Sequence, residues 1–359
     1  MRNAMGVIAI MLWCSTSTAR TVGAAGAVDS TKAMARTAGK RPPLAAPKVS
    51  GYIQIHYRQA FATGVDSLVD NNDFRVQRVR IGVRGEISPK VGYDIEIDPR
   101  APEITGVLRD AYVTLRHLPR HEVRIGQQKT QFGYENRESS TDLFAVNRAE
   151  LSDAISRGQT LRDIGVGLIG NVKLGKGLRL EDAITVVNGA GMNVQADDTP
   201  RKNIWGRLGL RYRNDARDIV ARLGASGGSG DFIDPGDDPL DSADDFRVVF
   251  ARTGADVELD CRAFFFSAEY ASARDENKLT AELDEPKGFY VNLAGKIANR
   301  FGPIVRYDEF DDVFKRWTLG AYVGLPSEPL RTMVNYEIRK AKDGVRSDDK
   351  LYLWMQVRF

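Results

Sequence analysis

The stretch DFRVQRVRIGVRG, residues 73–85, sets Arg78, Arg80 and Arg84 in alternation with Val79, Ile81 and Val83. In an extended chain successive side chains point to opposite faces, so the three guanidinium groups share one face and the aliphatic groups the other. Arg124 stands in the same way between Val123 and Ile125, and Arg207, Arg211, Arg213 and Arg222 fall on the polar face of two later segments. Guanidinium stays charged and offers a fork of donors that matches oxyanion geometry. A ladder of such groups would hold small anions at several moderate sites in series, each easy to enter and to leave. The competing reading is that these arginines merely wet a surface, paired with Asp94, Glu96, Asp98, Asp163 and Glu269.

Other chemistry is thin. His56, His117 and His121, with Cys14 and Cys261, make no metal-ligand spacing. Gly165-Val-Gly-Leu-Ile-Gly170 matches the dinucleotide-binding string, but its glycines lie inside an alternating segment and not at a strand-to-helix turn. Residues 170–176 nearly spell a phosphate loop, with Gly177 where Ser or Thr should follow. Residues 224–228 fit the nucleophile-elbow string and lead into an acidic stretch instead of a helix. No residue set supplies a nucleophile, a base and an oxyanion donor together, so no enzyme, metal or cofactor is expected.

The 359 residues are 28% charged, with a formal charge of +3 from nearly balanced acids and bases. No global attraction to nucleic acid follows. Past the first residues no run approaches the roughly 20 apolar residues of a membrane helix. A membrane barrel stays open, because its strands hide their apolar half by alternation. Residues 1–27 read as a secretory signal, with Arg2, an apolar stretch over 4–13 and Ala25-Gly26-Ala27 as cleavage site. A lipid-modified Cys14 is the rival, weakened by Trp13 before it. Cleavage would leave Cys261 alone and exclude an intramolecular disulfide. Residues 28–50, including GKRPPLAAPK, read as a flexible basic leader.

From residue 51 onward, alternating segments are broken by Gly, Pro, Asn and Asp, the pattern of antiparallel strands and turns. Sixteen are expected, at about 51–60, 73–88, 90–99, 107–117, 121–131, 162–173, 178–189, 202–214, 217–226, 245–256, 258–271, 287–298, 301–309, 315–324, 329–340 and 349–359. An even count of strands of this length suits a closed barrel crossing a bilayer at a tilt. One face is apolar (Ile204, Leu208 and Leu210; Ile219 and Leu223; Phe264, Phe266 and Tyr270; Phe289, Val291 and Leu293), the other polar. A soluble sandwich would bury the apolar face, whereas a barrel in lipid turns it outward, and periodicity alone does not choose.

Three features favour the barrel: the signal, aromatics near strand ends (Tyr52, Tyr57, Tyr93, Tyr112, Trp317, Tyr336, Tyr352), and the final LYLWMQVRF, whose Phe359 closes an alternating strand. A last strand paired with the first would remove both open edges. Two segments break the rhythm. Residues 132–161 form a long connection, read as folding into the lumen, with a helical middle capped by Ser140 or Thr141. The stretch GGSGDFIDPGDDPLDSADD, acidic from Asp231 to Asp245, reads as an external loop whose carboxylates lack the ordered spacing of a calcium site.

The strings DFRVQRVRIGVRGEI, VRIGQQKTQFGYENRESSTDLFAVNRAELSDAI, LRDIGVGLIG, VVNGAGMN and IVRYDEFD, with Phe359, resemble the phosphate-selective porin O and P family, in order from about residue 50 to the end. The resemblance implies an all-β, 16-stranded antiparallel transmembrane barrel, homotrimeric, in the outer membrane of a Gram-negative-type bacterium. It implies passive passage of phosphate, polyphosphate or similar small anions along arginines and lysines facing the pore, the face on which strand parity independently sets Arg78, Arg80, Arg84, Arg124, Arg207, Arg211, Arg213 and Arg222. Lys129, Arg148 and Arg162 would belong to the constriction loop, and Phe359 to the signal read by barrel-assembly machinery. Outer-membrane lipid and small anions are then the partners. Gln77 and Asn147 depart from the family's basic and acidic residues at those positions. The alternatives are a general, weakly selective diffusion pore, a plugged barrel with a structural or adhesive role, and an outer-membrane hydrolase, which would need a serine and a histidine facing each other near a rim.

Overall fold

The computed structural model describes residues 46–61, 72–100, 106–155, 162–194, 197, 199–234, 245–311, 314–341 and 349–359. The expected signal over 1–27, and the leader up to residue 45, lie outside the described residues. The leader's last residues, 48–50, are already strand.

Alternation becomes β1 (Lys48–Phe61), β2 (Asn72–Ser88), β3 (Val91–Ile97), β4 (Leu108–Leu118), β5 (His121–Lys129), β6 (Arg162–Lys173), β7 (Leu178–Val187), β8 (Asn203–Asn214) and β9 (Ile219–Asp234). It continues through β10 (Phe246–Asp260), β11 (Phe264–Asn277), β12 (Leu283–Asp284), β13 (Lys287–Gly295), β14 (Phe301–Phe310), β15 (Phe314–Val323), β16 (Leu330–Ala341) and β17 (Asp349–Arg358). Two-residue β12 only extends the β11–β13 hairpin, so the wall is a closed antiparallel barrel of sixteen strands. Closure is made by β17 on β1, in register from Tyr52 opposite Arg358 to Phe61 opposite Asp349. At the seam Gly51 and Phe359 exchange both backbone hydrogen bonds, at 2.9 and 3.0 Å.

Strand parity sorts the side chains. Ile204, Leu208, Leu210, Leu223, Val291, Leu293, Leu353 and Met355 face outward and are exposed, while Gln54, Thr185, Asn335 and Gln356 face inward and are fully buried. That inversion of a soluble core is the mark of a wall between lipid and a polar lumen. Turns at one end are mostly short, as at 89–90 and 119–120, whereas most connections at the other end are longer, 130–161 most of all.

Several boundaries differ from the alternation reading. The β10–β11 turn lies at 261–263, not near 257, because Val257 and Leu259 continue the β10 ladder against β9. β9 runs on to Asp234, so Asp231 belongs to the wall, fully buried, with its carboxylate accepting from Arg247 at 2.6 Å. Residues 235–244 of the expected acidic loop lie outside the described residues. Of the strand-end aromatics, Tyr112 and Tyr352 point into the lumen, and Tyr52 reaches the inward loop through its hydroxyl, 2.8 Å from Ser140 Oγ. Aromatic identity marks an interface only when parity turns the ring outward.

Leu208, in the middle of β8 and 57% exposed, provides a check on the orientation. Leu208→Arg should cost about 2–4 kcal/mol in lipid, read as lower urea resistance of the barrel reconstituted in bilayers. Arginine is already native at the neighbouring Arg207, so an equal tolerance at 208 would contradict an outward apolar face.

Candidate functional site

The longest connection leaves β5, folds into the barrel and takes most of its wall contacts from one side. Gly133 makes the bend: its φ of +68° is in the left-handed region, and the Glu269 carboxylate presses where a Cβ would sit. With no side chain there, Glu269 accepts from the Glu135 amide at 3.0 Å, and Ser226 Oγ accepts from the Gly133 amide at 3.0 Å. Phe132 packs edge-on against Trp205, which stacks on Phe250. Glu135 then ties the two legs of the loop together, accepting from the Ala149 amide at 2.8 Å, Ser152 Oγ at 2.7 Å and Arg306 at 3.1 Å.

Helix α1 (Glu150–Ile155) is one short turn near the loop's end, with Leu151 and Ile155 buried against the inner wall. It begins at Glu150, and neither Ser140 nor Thr141 caps it: Ser140 is engaged by Tyr52 and Thr141 by Ser139. The residues that would follow such a cap, as far as 149, are a run of turns and bends held by the wall. Three wall arginines donate to loop carbonyls: Arg331 to Thr141 and Leu143 (3.2 and 2.7 Å), Arg306 to Asn147 (3.0 Å) and Arg316 to Arg148 (2.6 Å). Asn335 Oδ1 accepts from the Val146 amide at 2.8 Å. Irregular backbone inside a barrel must find such partners or lose about 1–3 kcal/mol per orphaned group.

Because the loop leans on β8–β17 and β1, open space remains between it and β2–β6. There lies a cavity of about 690 Å³ lined by Arg78, Arg80, Arg84, Arg109, Arg124, Lys129, Arg137, Arg148 and Arg162, against four carboxylates, Glu96, Asp110, Glu138 and Asp153. A second cavity of about 570 Å³ toward the short-turn end shares Arg124, Arg137 and Glu138 with it and adds Arg116, Arg120, Arg207 and Arg222.

Pairing divides these cations. Arg80 meets Asp98 at 3.1 Å, Arg84 meets Asp94, Arg124 meets Glu122 at 2.5 Å, and Arg162 grips Asp110 through two bonds of 3.0 and 2.9 Å. Four others are held by neutral oxygen: Arg78 by Gln54 Oε1 (3.1 Å), Lys129 by the carbonyls of Arg137 and Glu138 (3.2 and 2.9 Å), Arg137 by Gln131 Oε1 (3.0 Å) and Arg148 by the Glu138 carbonyl (2.9 Å). Among the described residues these four have no carboxylate within ion-pair distance, so their charge is not cancelled locally. Two nitrogens of Arg148, Nε and Nη1, are buried with no hydrogen-bond partner among the described residues. Burial lowers the Arg137 and Arg148 guanidinium pKa values from their usual range and raises that of the Asp153 carboxyl.

Of the eight arginines expected to form one ladder, the structure brings together Arg78, Arg80, Arg84 and Arg124 around the larger cavity. Arg207 and Arg222 line the second cavity, neutralised by Asp256 and by Glu258 at 2.6 Å. Arg211 sits by Glu181 at 3.8 Å, and Arg213 pairs with Asp215 at 2.5 Å in a turn. Lys129, Arg148 and Arg162 join the larger cavity. Arg109 and Arg137, which were not among the expected residues, also line the larger cavity. The departures from the family pattern turn away from the cavity: Gln77 accepts from Trp354 Nε1 at 3.0 Å, and Asn147 donates to Glu337 at 2.9 Å.

A closed sixteen-stranded barrel with a loop folded into a charged lumen is a fold shared with solved outer-membrane porins. Over residues 48–176, which take in β1–β6 and the inward loop, the chain matches the family model described as phosphate-selective porin O and P. Solved structures share the fold at low identity. An anion-selective porin from Comamonas acidovorans is 12% identical with a TM-score of 0.58, covering 88% of this chain and 99% of its own. The trimer form of OmpT, an outer-membrane protein of Vibrio cholerae, is 10% identical (TM-score 0.57; 88% and 99% covered). The outer-membrane channel DcaP of Acinetobacter baumannii is 14% identical (TM-score 0.57; 87% and 97% covered). A search of curated proteins found no match to the sequence.

Arg331 tests the anchoring of the loop. Two charge-assisted bonds to carbonyls are worth about 3 kcal/mol or more together, so Arg331→Met should speed amide hydrogen exchange over 141–148 on the order of a hundredfold while exchange in β4–β6 stays unchanged.

Proposed function

We propose that this barrel is a passive outer-membrane channel that prefers small anions, phosphate among them, and works as a homotrimer. The observation that carries the reading is the set of four cations, Arg78, Lys129, Arg137 and Arg148, held by neutral acceptors in the gap between loop and wall. A paired arginine presents little net field to a passing ion, whereas a cation held by a carbonyl keeps its charge for the permeant species. The forked donors of Arg78 and Arg148 suit an oxyanion, and successive cations toward the second cavity offer it further partners. The trimer form of OmpT supports the assembly state. Phe359, bonded to Gly51 at the seam, is the residue we assign to recognition by barrel-assembly machinery.

Planar-bilayer recording tests the reading. The protein should give discrete conductance steps with a reversal potential on the anion side in a potassium chloride gradient. Arg78→Ala with Arg148→Ala should move that potential toward zero and weaken block of chloride current by millimolar phosphate. Cation preference would overturn the reading, and absence of conductance would favour a plugged barrel.

Asp153 adds a pH dependence. Its pKa is raised by burial, so on acidification it loses its negative charge before an ordinary carboxylate would. The lumen becomes more positive, and anion preference should increase as the pH falls into the acid range, earlier than an ordinary carboxylate would make it. Asp153→Asn should bring the acid-side selectivity to neutral pH and flatten the profile.

A further inference from the structure

On the outer face of β13–β16, register aligns one transverse row, Phe289, Glu309, Lys315 and Lys340, each directly opposite the next. The row one step nearer the membrane centre is Val291, Tyr307, Trp317 and Ile338. The upper row lies toward the end with the longer connections, which in barrels of this kind is the external one. The aromatic rings form a belt, with Phe289 to Tyr307 at 5.8 Å and Tyr307 to Trp317 at 4.8 Å between centroids. Such a belt marks the level where hydrocarbon gives way to headgroups.

Lys315 and Lys340 face each other directly across this row, a juxtaposition of like charges that destabilises a sheet. Glu309 relieves only part of it. Its carboxylate is 3.2 Å from Lys315 and accepts from the Tyr307 hydroxyl at 2.5 Å, while Lys340 is exposed and has no ion-pair partner among the described residues. Lys287, also exposed, stands one row farther out on the same face. A cationic edge directly above an aromatic belt complements an amphiphile whose anionic headgroup sits on its acyl chains.

We propose that Lys315 and Lys340 form a binding site for the phosphorylated headgroup of an outer-leaflet lipid, with Tyr307 and Trp317 against its acyl region. The phosphate lies between the two ammonium groups and removes their repulsion. The site faces away from the lumen and is independent of anion passage.

The test is native mass spectrometry of the detergent-solubilised protein titrated with diphosphoryl lipid A, enzymatically dephosphorylated lipid A, or inorganic phosphate. A lysine near an anionic lipid surface contributes about fivefold in affinity, so Lys315→Gln with Lys340→Gln should reduce lipid A retention on the order of twentyfold. Unchanged heat-modifiable gel mobility and unchanged conductance would show the double variant to be folded. Equal retention by the variant, or equal binding of the dephosphorylated lipid, would overturn the proposal. So would displacement of lipid A by inorganic phosphate at equal concentration, or disulfide cross-linking between copies through Lys340→Cys, which would put a second chain on this face.

Discussion

Inside a bilayer no water is present to satisfy a backbone N–H or C=O, so a chain that crosses it as strands must close the ring of hydrogen bonds upon itself. Here the ring closes where β17 meets β1, down to the paired bonds of Gly51 and Phe359. Everything else follows from that wall. Once the ladder is continuous, every strand has one face in lipid and one in the lumen, and a period of two assigns each residue to one of them. Leu208 and Arg207 are neighbours in sequence but sit in opposite solvents.

The same constraint governs the interior. An irregular loop can lie at membrane depth only if the wall supplies partners for its backbone, and Arg306, Arg316, Arg331, Asn335 and Glu269 supply them. Those arginines are among the most deeply buried charges of the barrel, and they are spent on architecture. Two aromatic clusters, around Trp205 and around Phe144, fill the space behind the loop. Pressing the loop against β8–β17 leaves open the side where β2–β6 carry their cations.

Charge within that gap is decided by pairing more than by number. Arg162 and Arg207 are fully engaged by carboxylates, so each pair is close to neutral at a distance. Arg78 and Arg148, bound by an amide oxygen and a carbonyl, remain net charges facing the open space. Counting arginines along the chain would treat all four alike. The mouth at the short-turn end, with Arg222 between Glu138 and Glu258, adds cations but little uncompensated field.

The sixteen strands were legible because burial in two different solvents leaves a period-two pattern in each segment, and most boundaries agree within a few residues. Misplacement of the β10–β11 turn came from Asp256 and Asp260, which look like turn formers but face the lumen in ladder register, and the end of β9 was missed because Asp231, another apparent turn former, continues the ladder opposite Val249. Parity likewise put Arg78, Arg80, Arg84 and Arg124 on the wet face without knowledge of the fold. Which arginines meet an acid and which stay unpaired was not legible, since Arg207 and Asp256 are 49 residues apart and Arg306 and Glu135 are 171 apart. Alternation is a local property of an extended chain, so it can be read residue by residue. The gap between loop and wall exists only after Gly133 bends the chain inward and distant strands seize it, and the electrostatics of the site are therefore settled by the tertiary structure.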